Sequence, residues 1–157
     1  MKPRTVDIIN FCAEVEVDKP KLRRFVRLLD AELPAAFRAP RGDLSIAVFD
    51  DRGIAKIHKD FMNKPSPTDV ITFEAYPDDD GQAGEICVSA QTAKAAAPKF
   101  GNTPSRELSL YVAHGYLHLA GVDDIRSEDA KLMRKMEAAC LAILDVRFKT
   151  PIFKFDA

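Results

Sequence analysis

Residues 103–124 read TPSRELSLYVAHGYLHLAGVDD, and this stretch carries the strongest structural signal in the chain. Thr103 offers an N-cap oxygen, Pro104 suits the first helical turn, and Glu107 follows as an acidic residue in that turn. Because glycine commonly ends helices, the pattern predicts a helix that runs to Gly121. Two roles are open for Glu107: it stabilises the helix N-terminus, or it orients a histidine further along the same face.

Two histidines lie four residues apart inside this predicted helix. With about 3.6 residues per turn, His114 and His118 emerge on one face, about 6 Å apart along the axis. Gly121 allows the chain to reverse after the helix, which would bring Asp123 or Asp124 back toward the two rings. Two nitrogen ligands and one carboxylate leave the fourth position of a tetrahedral metal open. The sequence therefore predicts a catalytic metal site.

The residue after the first histidine separates two classes of metalloenzyme. A zinc peptidase with this histidine spacing has a glutamate there, which acts as the general base. Gly115 occupies that position and has no side chain. A peptidase stays open as an alternative, but its base would have to come from elsewhere in the chain.

The rest of the chain alternates between strand-like and helix-like segments. Apolar and β-branched residues predict strands over 5–12, 44–50, 70–74 and 85–89, with an acidic turn at 78–81. Helices are predicted after Asp18, over 51–62, from Ser89 to about Lys99, and from Ser127 onward; the tail after 151 is unassigned. The interleaving predicts one α+β domain over 1–157, with a small mixed sheet of about four strands flanked by helices. The helix with the histidine pair is zincin-like, because its ligand spacing resembles that of zinc peptidases.

Composition excludes several classes of protein. The chain has 157 residues, of which 46% are hydrophobic and 30% charged, as in folded globular domains. A net charge of −1 gives no general basic field, so an anionic partner must be held by a local site. The three cysteines form no CxxC pair, and no apolar run approaches the roughly 18 residues of a membrane span. We therefore expect a cytoplasmic protein with no membrane partner.

The segment from His114 to Asp124 resembles the signature of the YbeY-like endoribonucleases, which mature bacterial ribosomal RNA. That signature reads His-Gly-x-Leu-His-Leu-x-Gly, then a hydrophobic residue, Asp and a third His; this chain matches it through Asp123. Other segments resemble the family in the same order, over roughly residues 44–145. They are PTDVITF at 67–73, GEICVS at 84–89, REL at 106–108, and Met133 with Glu137 in the last helix.

The resemblance implies both an activity and its partners. It implies a mixed sheet flanked by helices, one zinc ion per chain, and cleavage of single-stranded RNA during maturation of small-subunit ribosomal RNA. It also implies the small ribosomal subunit and its assembly factors, including a ribosome-associated GTPase, as partners. Since the family's third histidine corresponds to Asp124, the implied zinc ligands are His114, His118 and Asp124.

A second departure from the family concerns the substrate. The family has an arginine, proposed to hold RNA phosphate, at the position of Met62, whose side chain has no charge. Lys64, two residues later, is our candidate for substrate binding, and Lys56 and Lys59 on the preceding helix are alternatives. All three lysines would also be ordinary as solvated surface residues.

One main hypothesis and two alternatives follow. The main hypothesis is a zinc-dependent endoribonuclease, a hydrolase of ribosomal RNA processing and ribosome biogenesis, with no residue assigned as general base. The first alternative is a metal-dependent peptidase, which Gly115 argues against. The second is a non-catalytic ribosome-assembly module, which Met62 favours because the phosphate-binding arginine is missing.

Overall fold

The computed structural model of the chain describes residues 3–64, 66–75 and 81–156. Six strands and five α-helices follow one another in these residues. They are β1 (Val6–Asn10), β2 (Val15–Val17), α1 (Lys19–Glu32), β3 (Asp43–Phe49), α2 (Asp51–Met62), β4 (Val70–Glu74), β5 (Gln82–Ser89), α3 (Ala90–Ala96), α4 (Pro104–Leu119), α5 (Ser127–Arg147) and β6 (Phe153–Phe155). Short 3₁₀ segments cover Ala35–Phe37 and Ala97–Phe100.

A four-stranded mixed sheet lies at the centre of the fold. Its strand order is β1-β3-β5-β4, with β1, β3 and β5 parallel and β4 antiparallel to β5. Parallel neighbours require a crossover, and α1 supplies it between β1 and β3. The single-domain α+β fold with a small mixed sheet and flanking helices, predicted from the sequence, is confirmed.

The two faces of the sheet are covered to different extents. Alternation along the strands places Ile46 and Ile86 in the main core with α1 and α4, and Ala47 and Cys87 on the opposite face. On that opposite face, α2 contributes Ile54 to a much smaller apolar cluster. Most of the apolar surface is therefore buried on the side of α4.

Helix α4 is the most deeply buried helix in the structure. It contacts α3, α5, β4, β5 and β6, and eleven of its sixteen residues are buried. A helix that is covered on nearly every side needs apolar or small residues all round, which the sequence of α4 provides. Its last two turns carry the histidine pair, so the pair sits on a rigid element.

The close approach of α4 to the sheet depends on a glycine. A Cβ atom at Gly115 would lie 2.5 Å from Cγ2 of Ile86 on β5 and 3.2 Å from Cγ2 of Thr72 on β4. Carbon atoms at optimal separation are about 3.5–4.0 Å apart, so there is no room for a side chain here. The position that would carry a peptidase's glutamate is therefore filled by the sheet.

A polar network anchors the same helix to α1. The hydroxyl of Tyr116, which is fully buried, donates to Oδ1 of Asp30 at 2.6 Å. Arg4 donates to the same carboxylate, with its Nε 2.8 Å from Oδ2. Burial and the neighbouring Asp30 raise the pKa of Tyr116, so the phenol stays protonated and keeps donating.

The helix starts agree with the sequence analysis, while one helix end differs. The side chains of Asp18, Ser89 and Thr103 each accept a backbone N–H at the start of α1, α3 and α4. The helix predicted to reach about Lys99 is α-helical only to Ala96 and continues as a 3₁₀ segment. Pro98 explains the difference, because it lacks the N–H that an α-helical hydrogen bond needs.

The chain termini form a small second sheet that the sequence analysis missed. Val15 pairs with Phe155 and Val17 with Phe153 in an antiparallel ribbon between β2 and β6. Each of these strands has only three residues, too few for an alternating pattern to be visible. The predicted acidic turn at 78–81 lies, except for Gly81, outside the described residues.

Cys12, Cys87 and Cys140 are all free and buried, as expected for small apolar residues. Among the residues that the structure describes, no helix combines the length and the apolar character that crossing a membrane requires.

Replacing Gly115 with alanine tests the packing of α4. In an exposed helix the change would stabilise the protein by about 1 kcal/mol, because alanine is the better helix former. Here we expect the free energy of unfolding to fall by about 1–3 kcal/mol, because the added methyl group overlaps Ile86. Urea denaturation measures the change.

A double-mutant cycle supplies the control. Gly115→Ala introduced into an Ile86→Ala background should cost less than in the unaltered protein, since the clashing methyl group is gone. Stabilisation by Gly115→Ala alone would show that α4 does not lie this close to the sheet.

Candidate metal centre

The histidine pair lies on the face of α4 that remains accessible. The side chains of His114 and His118 are 22% and 29% exposed, although the helix around them is buried. Their ring centroids are 4.6 Å apart and the rings are nearly perpendicular. Helical spacing thus brings both rings together at the protein surface, as the sequence analysis predicted.

The end of α4 reverses the chain through a glycine. Gly121 has φ +96°, the left-handed conformation expected for it from the sequence. The N–H of Gly121 donates to the carbonyl of His118, and that of Val122 to the carbonyl of Leu117, both at 3.0 Å. This pair of bonds is a Schellman motif, in which the chain turns back over the last helical turn. The loop that follows is therefore directed toward the histidines.

Asp124 is the acid that this reversal brings to the histidines. Its Oδ2 lies 3.6 Å from Nε2 of His114 and 3.7 Å from Nε2 of His118. Donor atoms of the three residues all fall within 4.8 Å of one another, so the group could hold a metal ion. Of the two acids that the residues left open, Asp124 is therefore the one that lies beside both histidines.

The two separations between Asp124 and the histidine nitrogens are close to those of a tetrahedral ion. Ligand bonds of about 2.1 Å at a tetrahedral angle place N and O about 3.4 Å apart, while adjacent octahedral ligands would be about 3.0 Å apart. The observed separations of 3.6 and 3.7 Å are close to the tetrahedral value. Two imidazoles and one carboxylate are also a donor set that suits zinc better than magnesium or calcium.

Asp123 has a different task from its neighbour. Its Oδ1 accepts the backbone N–H of Asp124 at 2.7 Å and that of Ile125 at 3.3 Å. The carboxylate therefore caps the turn on which Asp124 sits. Of the two adjacent acids, Asp123 thus braces the loop and Asp124 faces the histidines.

A carboxylate that sequence analysis gave no role contacts the first histidine. Oε2 of Glu137, on α5, lies 2.6 Å from Nδ1 of His114. The family resemblance pointed to Glu137 as a match without a function. The sequence held one signal: Glu137 follows Met133 by four residues and Met136 by one, so it borders the apolar stripe of its helix.

The charges around His114 alter its acidity. Burial lowers the pKa of the imidazole, but the hydrogen bond to Glu137 and its negative charge oppose that effect. Asp124 and Asp69 add smaller contributions in the same direction, and the net pKa is raised above its ordinary value of 6.5. The carboxylates around His114 therefore favour a positive charge at this site.

Glu107 does not orient a histidine. It is buried, and its Oε1 accepts from Nδ2 of Asn102 at 2.7 Å, at the start of α4. Of the two roles that the sequence left open, the structure therefore supports the one at the helix N-terminus. His114 is contacted by Glu137 instead, because Glu137 lies on α5, which packs against α4.

Lys64, the candidate substrate residue, lies on the loop that leads into β4, while the alternatives Lys56 and Lys59 lie on α2. Lys64 is exposed, and its backbone N–H donates to the carbonyl of His58 after Asn63 has ended α2 in the left-handed conformation. Met62, the last residue of α2, is 46% exposed.

Comparison with known proteins places these features in a family. The family model described as Endoribonuclease YbeY matches residues 7–145. An Endoribonuclease YbeY of Carboxydothermus hydrogenoformans is 32% identical over 139 residues, which cover 88% of this chain and 96% of that protein. One from Clavibacter michiganensis is 31% identical, covering 80% of this chain and 86% of that protein.

A solved structure agrees on the fold. The solution structure of a Thermotoga maritima protein superimposes with a TM-score of 0.59, covering 91% of this chain and 92% of that chain at 24% identity. The family match covers β3, β4, β5 and α4 in full and β1 from its second residue onward. The chain therefore belongs to the YbeY endoribonuclease family.

Proposed function

We propose that the chain is a zinc-dependent endoribonuclease that cuts single-stranded ribosomal RNA during maturation of the small subunit. The observation that carries the proposal is the convergence of His114, His118 and Asp124, whose donor atoms all lie within 4.8 Å of one another. The class of reaction, RNA cleavage, is inferred from the relatives, which are named Endoribonuclease YbeY. The three converging side chains could hold the metal ion for that reaction.

The three candidate ligands suit a metal ion that would act as a Lewis acid in phosphodiester cleavage. Zinc, when bound, would supply a Lewis acid for the charge that develops on a phosphodiester. His114 and His118 offer neutral nitrogen ligands, while Asp124 adds one negative charge. The side chain of Asp124 is 43% exposed, so the open side of the site faces solvent and is accessible to a strand of RNA.

Gly115 supports a nuclease over a peptidase. The peptidase base would have to extend from this position, and a Cβ atom there already meets Ile86 at 2.5 Å. RNA can react without that residue, because its own ribose hydroxyl or a water molecule provides the nucleophile. We assign no side chain as general base.

Lys64 is our proposed phosphate contact. Asp69 is close enough to His114 for its charge to raise the pKa of the ring, and Lys64 precedes Asp69 by five residues. Five residues of extended chain span at most about 17 Å. Lys64 is thus within about 17 Å of Asp69 along the chain, which supports it as the residue that contacts an RNA strand at the metal site.

The proposed setting is the bacterial cytoplasm, with the small ribosomal subunit and its assembly factors, including a ribosome-associated GTPase, as partners. This part of the proposal rests on the family, and three free, buried cysteines are compatible with a reducing compartment. One observation favours a non-catalytic assembly module as the second candidate: an uncharged, half-exposed Met62 stands at the family's arginine position.

The metal ligands are tested by elemental analysis and by chelator competition. Protein purified without added metal should contain about one zinc per chain. Asp124→Ala should weaken zinc binding by more than about a hundredfold, because losing even an outer-shell partner typically costs 10–100-fold. Asp123→Ala, the matched control, should cost much less, because Asp123 only braces the loop. A larger loss from Asp123→Ala would mean that the wrong neighbour has been assigned.

The reaction is tested with RNA and peptide substrates side by side. Single-stranded RNA should be cut, a chelator should abolish the cutting, and zinc should restore it, while unstructured peptides stay intact. His118→Ala should abolish RNA cleavage in a protein that remains folded by circular dichroism. Zinc-loaded protein that binds RNA without cutting it would favour the assembly module, and peptide cleavage lost in His118→Ala would favour the peptidase.

The phosphate contact is tested by RNA affinity at several salt concentrations. Lys64→Ala should weaken binding and reduce the slope of log K against log salt by about 0.7, the value for one contact to a single strand. Met62→Arg should strengthen binding, and its exposed position leaves room for the longer side chain. Lys99→Ala, on a different element, serves as the charge-matched control. Unchanged affinity in both test variants would place the phosphate contact elsewhere.

A further inference from the structure

The contact between α5 and the first histidine has a consequence for the metal site. Oε2 of Glu137 lies 2.6 Å from Nδ1 of His114, while Nε2 of the same ring faces Asp124. We propose that Glu137 is a positioning residue, which fixes the ring and the tautomer of His114 so that Nε2 alone is offered to the ion. The proposal rests on the metal site of the proposed function and adds a residue to it.

The hydrogen bond determines which nitrogen can bind a metal. An ionised carboxylate only accepts hydrogen bonds, so in the neutral ring the proton must be on Nδ1. The lone pair is then on Nε2, which lies 3.6 Å from Oδ2 of Asp124. Without Glu137 the ring could rotate or carry its proton on Nε2, and either change would remove a ligand from the ion.

The carboxylate of Glu137 is mostly buried and lies on a helix that packs against α4. Glu137 lies on α5 beside Met136, which is buried, and its own side chain is 19% exposed. Helix α5 packs along α4, so the two partners are carried by helices in contact. Reduced solvation strengthens a hydrogen bond between a carboxylate and an imidazole, so this pair should be stronger than a surface pair.

The two histidines differ in this respect. Oδ2 of Asp124 lies 3.7 Å from Nε2 of His118, and Asp124 is itself a proposed ligand. His114 has both Asp124 and the outer partner Glu137. Hence Glu137 should act on one ligand of the three, and its loss should not disturb His118.

Zinc affinity provides the first test. Apparent Kd values are measured by chelator competition for the unaltered protein, Glu137→Ala, Glu137→Gln and Glu128→Gln. We expect Glu137→Ala to bind zinc 10–100-fold more weakly, the usual effect of removing an outer-shell partner. Glu137→Gln, which keeps an acceptor but loses the charge, should fall between. Glu128→Gln removes the same charge from an exposed position on the same helix and should bind like the unaltered protein.

The tautomer of His114 provides a readout that a purely structural role would not move. In metal-free protein above the pKa of the ring, ¹⁵N correlation spectra should show the proton on Nδ1 of His114. In Glu137→Ala the ring should shift toward the Nε2–H form, while the spectrum of His118 stays the same. Unchanged thermal unfolding would exclude a general loss of structure, and Glu137→Gln provides a folded substitute if Glu137→Ala is unstable.

The outcomes separate the two proposals. Equal zinc affinity in all four proteins, or an unchanged His114 tautomer in Glu137→Ala, would overturn the positioning role and leave the metal site intact. If Glu128→Gln lost as much zinc affinity as Glu137→Ala, the loss would be due to the change in net charge, and the positioning role would also be overturned. Failure of the unaltered protein to bind zinc would overturn the proposed function, and the positioning role with it.

Discussion

The contact of α4 with the sheet at Gly115 is the constraint on which the rest of the structure depends. Because no Cβ intervenes, the helix backbone lies directly on Ile86 and Thr72, and the strands on either side can bury their apolar faces against it. Tyr116, the next residue, turns the other way and bonds to Asp30 of α1. One glycine and one tyrosine thus fix both the depth and the rotation of the helix.

The burial of α4 fixes the positions of the candidate metal ligands at its accessible face. Histidines on a mobile segment would pay conformational entropy when they bind an ion. His114 and His118 instead extend from a helix that is buried nearly all round, and the hydrogen-bonded reversal at Gly121 carries Asp124 back to them. The carboxylate of Glu137 reaches the site from α5 because that helix packs on α4. The packing of the core therefore determines where each of these side chains lies.

The sequence predicted the parts of the fold and site that depend on local spacing. His114, His118 and Gly121 could be read from helical periodicity and glycine geometry, and the caps at Asp18, Ser89 and Thr103 from side-chain chemistry. Glu137 could not be assigned, because its contact depends on how two helices pack, which periodicity does not specify. The ribbon of β2 and β6 was missed for a similar reason: its partners are far apart in sequence, and each strand is three residues long.

X-ray absorption at the zinc edge reports which atoms surround the bound ion. In zinc-loaded protein we expect a first shell of four nitrogen or oxygen atoms at about 2.0–2.1 Å, with the outer-shell scattering of two imidazoles and no sulfur. In Asp124→Ala loaded with excess zinc, both imidazole contributions should persist. Sulfur in the first shell, or fewer than two imidazoles in the unaltered protein, would contradict the assignment of the ion to the end of α4.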